Sequence, residues 1–186
     1  DFGDKETCDH IILGKHEQSV RHDRAALVCL DRGTRWMDGF PDKTNDVQCS
    51  YLALQSYNGT IKPQLIYSDN SGELGQACKE LGYSHDTCTP HKPQSNGVGE
   101  RAVRRCKEGT ACQLVQSGFM AAWWHLAMRH FCFLYNVIER CVNRGNGKYI
   151  TPYEARFGHP FPTFKIIPFG AEVTYRPANP EDIGKQ

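Results

Sequence analysis

Asp9, Asp69 and Glu100 are the residues in this chain whose types and placement suggest chemistry. Three carboxylates held close together repel one another and have shifted pKa values unless cations sit among them. Hard, oxygen-seeking Mg2+, or Mn2+, is the natural occupant of such a site. Two ions roughly 3.5–4 Å apart can activate an attacking oxygen and stabilise a leaving one during in-line displacement at phosphorus. In that scheme one aspartate bridges the ions and each of the other carboxylates completes one site. The substrate phosphate supplies the remaining ligands.

Glu100 is embedded in TPHKPQSNGVGERAVRR, residues 89–105. Two prolines and an Asn-Gly pair delay helix until Val98, which leaves Glu100 in the first helical turn. Arg101, Arg104 and Arg105 follow at once, and with Lys92 they form a concentrated basic patch suited to phosphate contacts. Arg104 is alternatively an exposed ion-pair partner for Glu100 one turn away. Gln94, Ser95 and Asn96 have the donors to meet DNA, and equally the composition of a plain turn.

Around these residues the pattern predicts alternating strands and helices. Lys5–Leu13 has strand composition, with Cys8, His10 and Ile12 on one face and Asp9, Ile11 and Leu13 on the other. An aspartate among apolar neighbours is costly unless a cation or donors offset it; the bland alternative is a strand-edge side chain facing water. Ala25–Leu30 reads as a central strand buried on both faces and Arg35–Phe40 as a third, completing an antiparallel meander. A helix over 43–57 leads to a fourth strand, 62–68, returning parallel to the first and placing Asp69 at its carboxyl end. A short helix (73–81), a fifth strand (83–88) and the helix bearing Glu100, stopped by Gly118, come next.

Residues 120–142 read as the longest amphipathic helix, with Met120, Trp124, Ala127, Phe131, Leu134 or Tyr135, and Ile138 at helical spacing. Its Trp123-Trp124 pair is expected in the core. RGNGK, 144–148, reads as a mobile link. Thr151-Pro152-Tyr153-Glu154 is a capping box, and the proline-rich tail holds one expected strand, 171–175. The domain reading is a catalytic core over 1–118, the long helix over 119–145 and an extension over 146–186.

Asp31 and Asp38 are rival first carboxylates, but Asp31 begins a turn and Asp38 adjoins Gly39. His10 points away from Asp9 and reads as a packed histidine; His85 and His91 are candidate DNA contacts. Nine cysteines, spread evenly with no C-x-x-C pair, argue against structural zinc and against disulfides. The 186 residues suffice for one domain with a sizeable core, and a net charge of +1 means that any basic surface must be local. Neither a membrane span nor a secretory signal is expected. The chain opens on Asp1 and not Met, as expected of a segment of something longer.

The segments CDHII, ALVCLDRGTRW, IYSDNSGEL, TPHKPQSNGVGERAVRR, TPYEARFGHPFP and PFGAEVTY, in that order, resemble the catalytic core of retroviral-type integrases, above all those of copia-type retrotransposons. The resemblance covers nearly the whole chain, and SDN followed by PQ-x-NG-x-x-ER is its most specific part. It implies an α/β RNase H-like fold, with a five-stranded mixed sheet flanked by helices. It further implies an Asp9–Asp69–Glu100 triad holding two Mg2+ or Mn2+ ions, and DNA contacts from Asn70, Lys92, Gln94, Asn96, Arg101, Arg104 and Arg105. Such enzymes trim the 3′ ends of element DNA with water, then use the 3′ hydroxyl to attack target DNA. They act as multimers, in the nucleus after a cytoplasmic particle stage. One departure is the spacing: 100 − 69 − 1 leaves 30 residues between Asp69 and Glu100, a few fewer than usual, which a trimmed helix or turn between Gly72 and Tyr83 would absorb. Two other readings stand beside this one: a degenerate or domesticated core that binds DNA without catalysis, and another RNase H-like nuclease.

Overall fold

The computed structural model describes residues 1–87, 97–145, 147–162 and 166–174. Five strands, β1 (Glu6–Ile12), β2 (Ala25–Asp31), β3 (Met37–Asp42), β4 (Ile66–Ser68) and β5 (His85–Thr87), form one sheet in the order β3-β2-β1-β4-β5. The first three pair antiparallel, whereas β4 runs parallel to both β1 and β5. The fold is RNase H-like.

Two layers of helices cover the sheet because β2 is apolar on both faces and buried along its whole length. On one side Cys8, Leu27, Cys29 and Ile66 pack against Leu54 of α1 (Val47–Asn58) and Leu74 of α2 (Gly72–Leu81). On the other, Ile11, Ala26, Val28 and Leu30 pack against Ala102 and Cys106 of α3 (Gly97–Ser117) and Met128 and Cys132 of α4 (Trp124–Ile138). Local signals set the ends. Asp46 and Ser71 accept from the backbone N–H of Cys49 and Leu74 to cap α1 and α2, and Gly82 ends α2 in the left-handed conformation.

Helices α3 and α4 meet closely. A Cβ on Gly109 would lie 2.1 Å from the Phe131 ring, so only glycine fits this crossing. Asn136, 2% exposed, is bonded to one backbone residue: its Oδ1 accepts from Met37 N–H at 3.0 Å and its Nδ2 donates to the Met37 carbonyl at 2.7 Å. It ties α4 to the start of β3.

Several expected boundaries move. The third strand starts at Met37, because Arg35 takes a left-handed backbone with φ +62° and belongs to the preceding turn. The helix expected over 120–142 is shorter than α3: a 3-10 turn, Ala121–Trp123, precedes α4, and the backbone becomes extended at Glu139. The apolar spacing runs on, but Met120 is 71% and Ile138 53% exposed, so nothing packs there to hold helix. On either side of the expected link, β6 (Val142–Asn143) pairs with β7 (Tyr149–Ile150), with Gly145 and Gly147 at positive φ and Asn146 outside the described residues. Thr151 caps α5 (Pro152–Phe157) as expected, its Oγ accepting from Glu154 N–H at 3.1 Å. Residues 171–174 form no strand, and Tyr175 lies outside the described residues. Trp124 is in the core and Trp123 is half-buried beside Phe119.

Glu6 was not singled out in the sequence, yet its side chain is fully buried at the start of β1. Its Oε2 accepts from Asn58 Nδ2 at 3.1 Å, while Glu6 Oε1 and Asn58 Oδ1 are buried with no partner. Burial pushes this carboxyl up to about 7 against the Asn58 hydrogen bond, with the Asp31 charge adding and Arg156 opposing. A proton on this carboxyl would remove the cost of burying its charge.

Candidate active site

The parallel pairing of β1 with β4 builds the centre of the site. Glu6 stands opposite Ile66 and Thr7 opposite Tyr67; two residues further along the same register bring Asp9 level with Asp69, just past the end of β4. Asp69 is fixed from behind: Ser68 Oγ donates to the Asp69 carbonyl at 2.7 Å and lies 2.8 Å from His85 Nε2. His85 is therefore engaged inside the fold, with its pKa lowered by burial.

Asp9 is half-buried, and burial pushes its carboxyl up to about 6, with the charges of Asp69 and Glu100 adding and a backbone N–H at His10 opposing. The structure thus brings Asp69 and Glu100 each within electrostatic reach of Asp9. They are not equally placed: Glu100 is exposed in the first turn of α3, whereas Asp69 carries a buried Oδ1 with no hydrogen-bond partner. Among the described residues no group of three or more His, Cys, Asp or Glu stands close enough to hold a metal ion. The donor chemistry fits a hard divalent cation nonetheless. A buried carboxylate oxygen without a donor, next to a second carboxylate whose ionisation is resisted, is an environment that a cation would relieve.

Asp9 and Glu100 share an open cleft of about 390 Å3 with Val103, Arg104, Lys107 and Glu108. Arg104 forms no ion pair with Glu100 among the described residues, so its guanidinium stays available in the cleft. Lys107 joins it one turn further on. The sequence shows Lys107 on the same stripe as Glu100 and Arg104, although it was not among the expected DNA contacts.

The basic residues do not form one patch. Each of Arg101 and Arg105 follows Glu100 or Arg104 by one position, about 100° round the helix, and both line a different pocket. Arg105 pairs with Glu139 at 3.5 Å and sits over the Tyr135 ring. Asn70 is exposed beside Asp69. Lys92, Gln94, Asn96 and His91 lie outside the described residues.

The rival carboxylates have other work. Asp31 is fully buried and accepts from Gly3 N–H, Thr34 N–H and Thr34 Oγ, closing the β2–β3 turn. Asp38 accepts from Gly39 N–H, and its charged neighbours are Arg129 and Arg156. His10 lies 3.2 Å from Ser50 Oγ of α1, and burial lowers its pKa. The eight described cysteines are free; Cys8 and Cys29 sulfurs are 3.4 Å apart across β1 and β2, fully buried.

No protein-family model matches the chain. It is 26% identical over 159 residues, 82% of its length, to the retrovirus-related Pol polyprotein from transposon RE2 of Arabidopsis thaliana. It is 27% identical over 128 residues, 64% of its length, to that from transposon TNT 1-94 of Nicotiana tabacum. The matched part is only 11% and 10% of those relatives, so the chain spans about a tenth of their length. In structure it resembles the catalytic core domain of BIV integrase, with a TM-score of 0.56 at 21% identity, covering 82% of this chain and 92% of that one. Similarity to retrotransposon Pol polyproteins along most of the sequence, together with the fold of a retroviral integrase catalytic core, supports an integrase core domain.

Proposed function

We propose that this domain is the phosphoryl-transfer centre of a retrotransposon integrase, trimming 3′ ends of element DNA and joining them to target DNA. The observation that supports the reading is the register of parallel β1 and β4, which sets Asp9 level with Asp69 just past the end of β4, with Glu100 near enough for its charge to act on Asp9. Asp9, Asp69 and Glu100 would hold the divalent ions, Mg2+ or Mn2+. When bound, such ions supply activation of the attacking oxygen and stabilisation of the leaving one.

The chain's own residues do the rest. Ser68 and His85 fix the backbone from which Asp69 projects. Arg104 and Lys107 give the cleft positive charge for the DNA phosphates, a contact that orients the backbone without reading sequence. Asp9 must be ionised to serve as a ligand, so with its carboxyl at about 6 the site loses cation affinity as pH falls through that value. The nucleophile is water or a DNA hydroxyl, and no side chain is required to form a covalent bond. Assembly into at least a dimer, action in the nucleus and a domain boundary after residue 118 belong to the same proposal.

The test supplies purified protein with a labelled DNA end plus Mg2+ or Mn2+. Cleavage or joining that disappears in Asp69→Asn supports the proposal; no turnover, or equal turnover in that variant, refutes it. A core that binds DNA without catalysis is the second reading, favoured by the three carboxylates not closing to ligand spacing. It predicts salt-sensitive DNA binding that survives Asp9→Asn and no metal-dependent turnover. An RNA-DNA hybrid and a four-way junction, run beside the linear end, separate the other RNase H-like activities.

A further inference from the structure

Arg35, Arg101 and Arg105 line a second pocket, of about 100 Å3, together with Leu30, Met37, Val98, Ala102 and Tyr135. None of these belongs to the cleft of Asp9 and Glu100. Three arginines lining one small space give it a positive potential that favours an anion. The counter-charge present is slight: Glu139 meets only Arg105, at 3.5 Å, with both side chains about half exposed. The side chains of Arg35 and Arg101 have no ion-pair partner among the described residues.

Arg35 is also held where an arginine is not at ease. Its φ of +62° is left-handed, a conformation that costs a residue with a Cβ roughly 1–2 kcal/mol. The turn is locked on both sides: Asp31 takes the Thr34 N–H and hydroxyl, while the Trp36 carbonyl accepts from Asp31 N–H and the Tyr57 hydroxyl. A strained backbone inside a fixed turn is a usual way of presenting a functional side chain. Arg35 therefore stands preorganised beside α3.

We propose that Arg35, Arg101 and Arg105 form a binding site for one backbone phosphate of DNA, on a flank of α3 separate from the carboxylate cleft. The volume is far below the roughly 300–1,000 Å3 of small-molecule sites, so it takes one group and not a whole nucleotide. Guanidinium forks match phosphate oxygens two at a time. With Arg104 and Lys107 on the neighbouring flank, α3 would carry two strands, or two turns of one duplex, along different faces. This inference rests on the proposed DNA-handling function.

The test is the binding of a labelled DNA duplex by the whole chain between 50 and 200 mM salt, for wild type, Arg35→Gly, Arg101→Ala and Arg104→Ala. Arg35→Gly relieves the left-handed strain, so its thermal unfolding should not fall, and a melt checks this. Each phosphate contact contributes roughly 0.9 to the slope of log affinity against log salt. Arg35→Gly and Arg101→Ala should therefore each reduce the loss of affinity over that range by about 3.5-fold, and Arg35→Gly combined with Arg104→Ala should reduce it by both increments. Inorganic phosphate, at constant ionic strength, should not reproduce the effect at concentrations where DNA saturates. An unchanged slope in Arg35→Gly and Arg101→Ala beside a reduced one in Arg104→Ala overturns this site and leaves the proposed function standing. A wild type that binds no duplex overturns both. If those variants instead change the sedimenting species and not the slope, the pocket takes a carboxylate of a second copy, and the phosphate site is wrong.

Discussion

Replacing Glu6 by Gln should make this domain more stable at neutral pH. Glu6 is a fully buried carboxyl whose pKa is raised from 4.5 to about 7, first of all by burial. In the unfolded chain it loses its proton near 4.5, while in the fold it keeps it to about 7. Between those values the folded state binds more protons, so the stability of the fold falls as pH rises. The loss begins near pH 4.5 and is complete above about 7. At about 1.4 kcal/mol per pH unit over this window, the total is on the order of 3 kcal/mol. The substituted glutamine would have nothing to ionise, and its side-chain carbonyl would keep the hydrogen bond that Glu6 Oε2 accepts from Asn58 Nδ2. Urea unfolding of both proteins at pH 4.5, 6, 7 and 8 measures the difference directly. The variant should match wild type at the lowest pH and exceed it progressively to about 3 kcal/mol at pH 8. A variant that is less stable at pH 8, or a gap independent of pH, refutes the reasoning.

Asp69→Asn removes a neighbouring negative charge, so the Asp9 carboxyl should titrate below its value of about 6, read by NMR of its side-chain carbon; an unmoved midpoint means that the two are not neighbours. Gly109→Ala should destabilise by about 1–3 kcal/mol, the usual cost of overpacking, in a denaturant melt, and Phe131→Leu in the same chain should restore part of it. Asn136→Ala leaves the buried Met37 N–H and carbonyl without their partner and should cost about 2–6 kcal/mol at roughly 1–3 for each buried group. A loss below about 1 kcal/mol would mean that water replaces the amide.

Strand order and helix order were readable in the sequence because they rest on apolar periodicity and short links. Ala25–Leu30 had no polar residue to expose, and the helix over 43–57 was long enough to return β4 parallel to β1. Asp9 beside Asp69 followed from that topology alone. The rest depends on what packs against what. Met120 and Ile138 keep the helical period where no core faces them, so α4 stops short at both ends. The left-handed Arg35 leaves no mark in composition, since glycine is the residue that usually announces such a turn, and Gly33 sits two positions too early. Likewise Arg101 and Arg105 read as one patch with Arg104 because adjacency in sequence hides a turn of about 100° round the helix. Glu6 differs from an exposed strand carboxylate only through burial, which no neighbour in sequence reveals.

The pairing of β1 with β4 makes the domain unevenly tolerant of changes in length. Residues 13–24, which leave β1 and return as β2, change direction at the surface, and an added residue there moves neither aspartate. The short stretch between Asn58 and Ile66 has no such freedom: Gln64 N–H bonds to the Gly3 carbonyl and Glu6 N–H to the Leu65 carbonyl. One residue gained or lost there would set Asp69 a step out of line with Asp9 and turn its side chain to the other face of the sheet. A single-residue insertion or deletion in that stretch would part the two aspartates while leaving every carboxylate in the sequence.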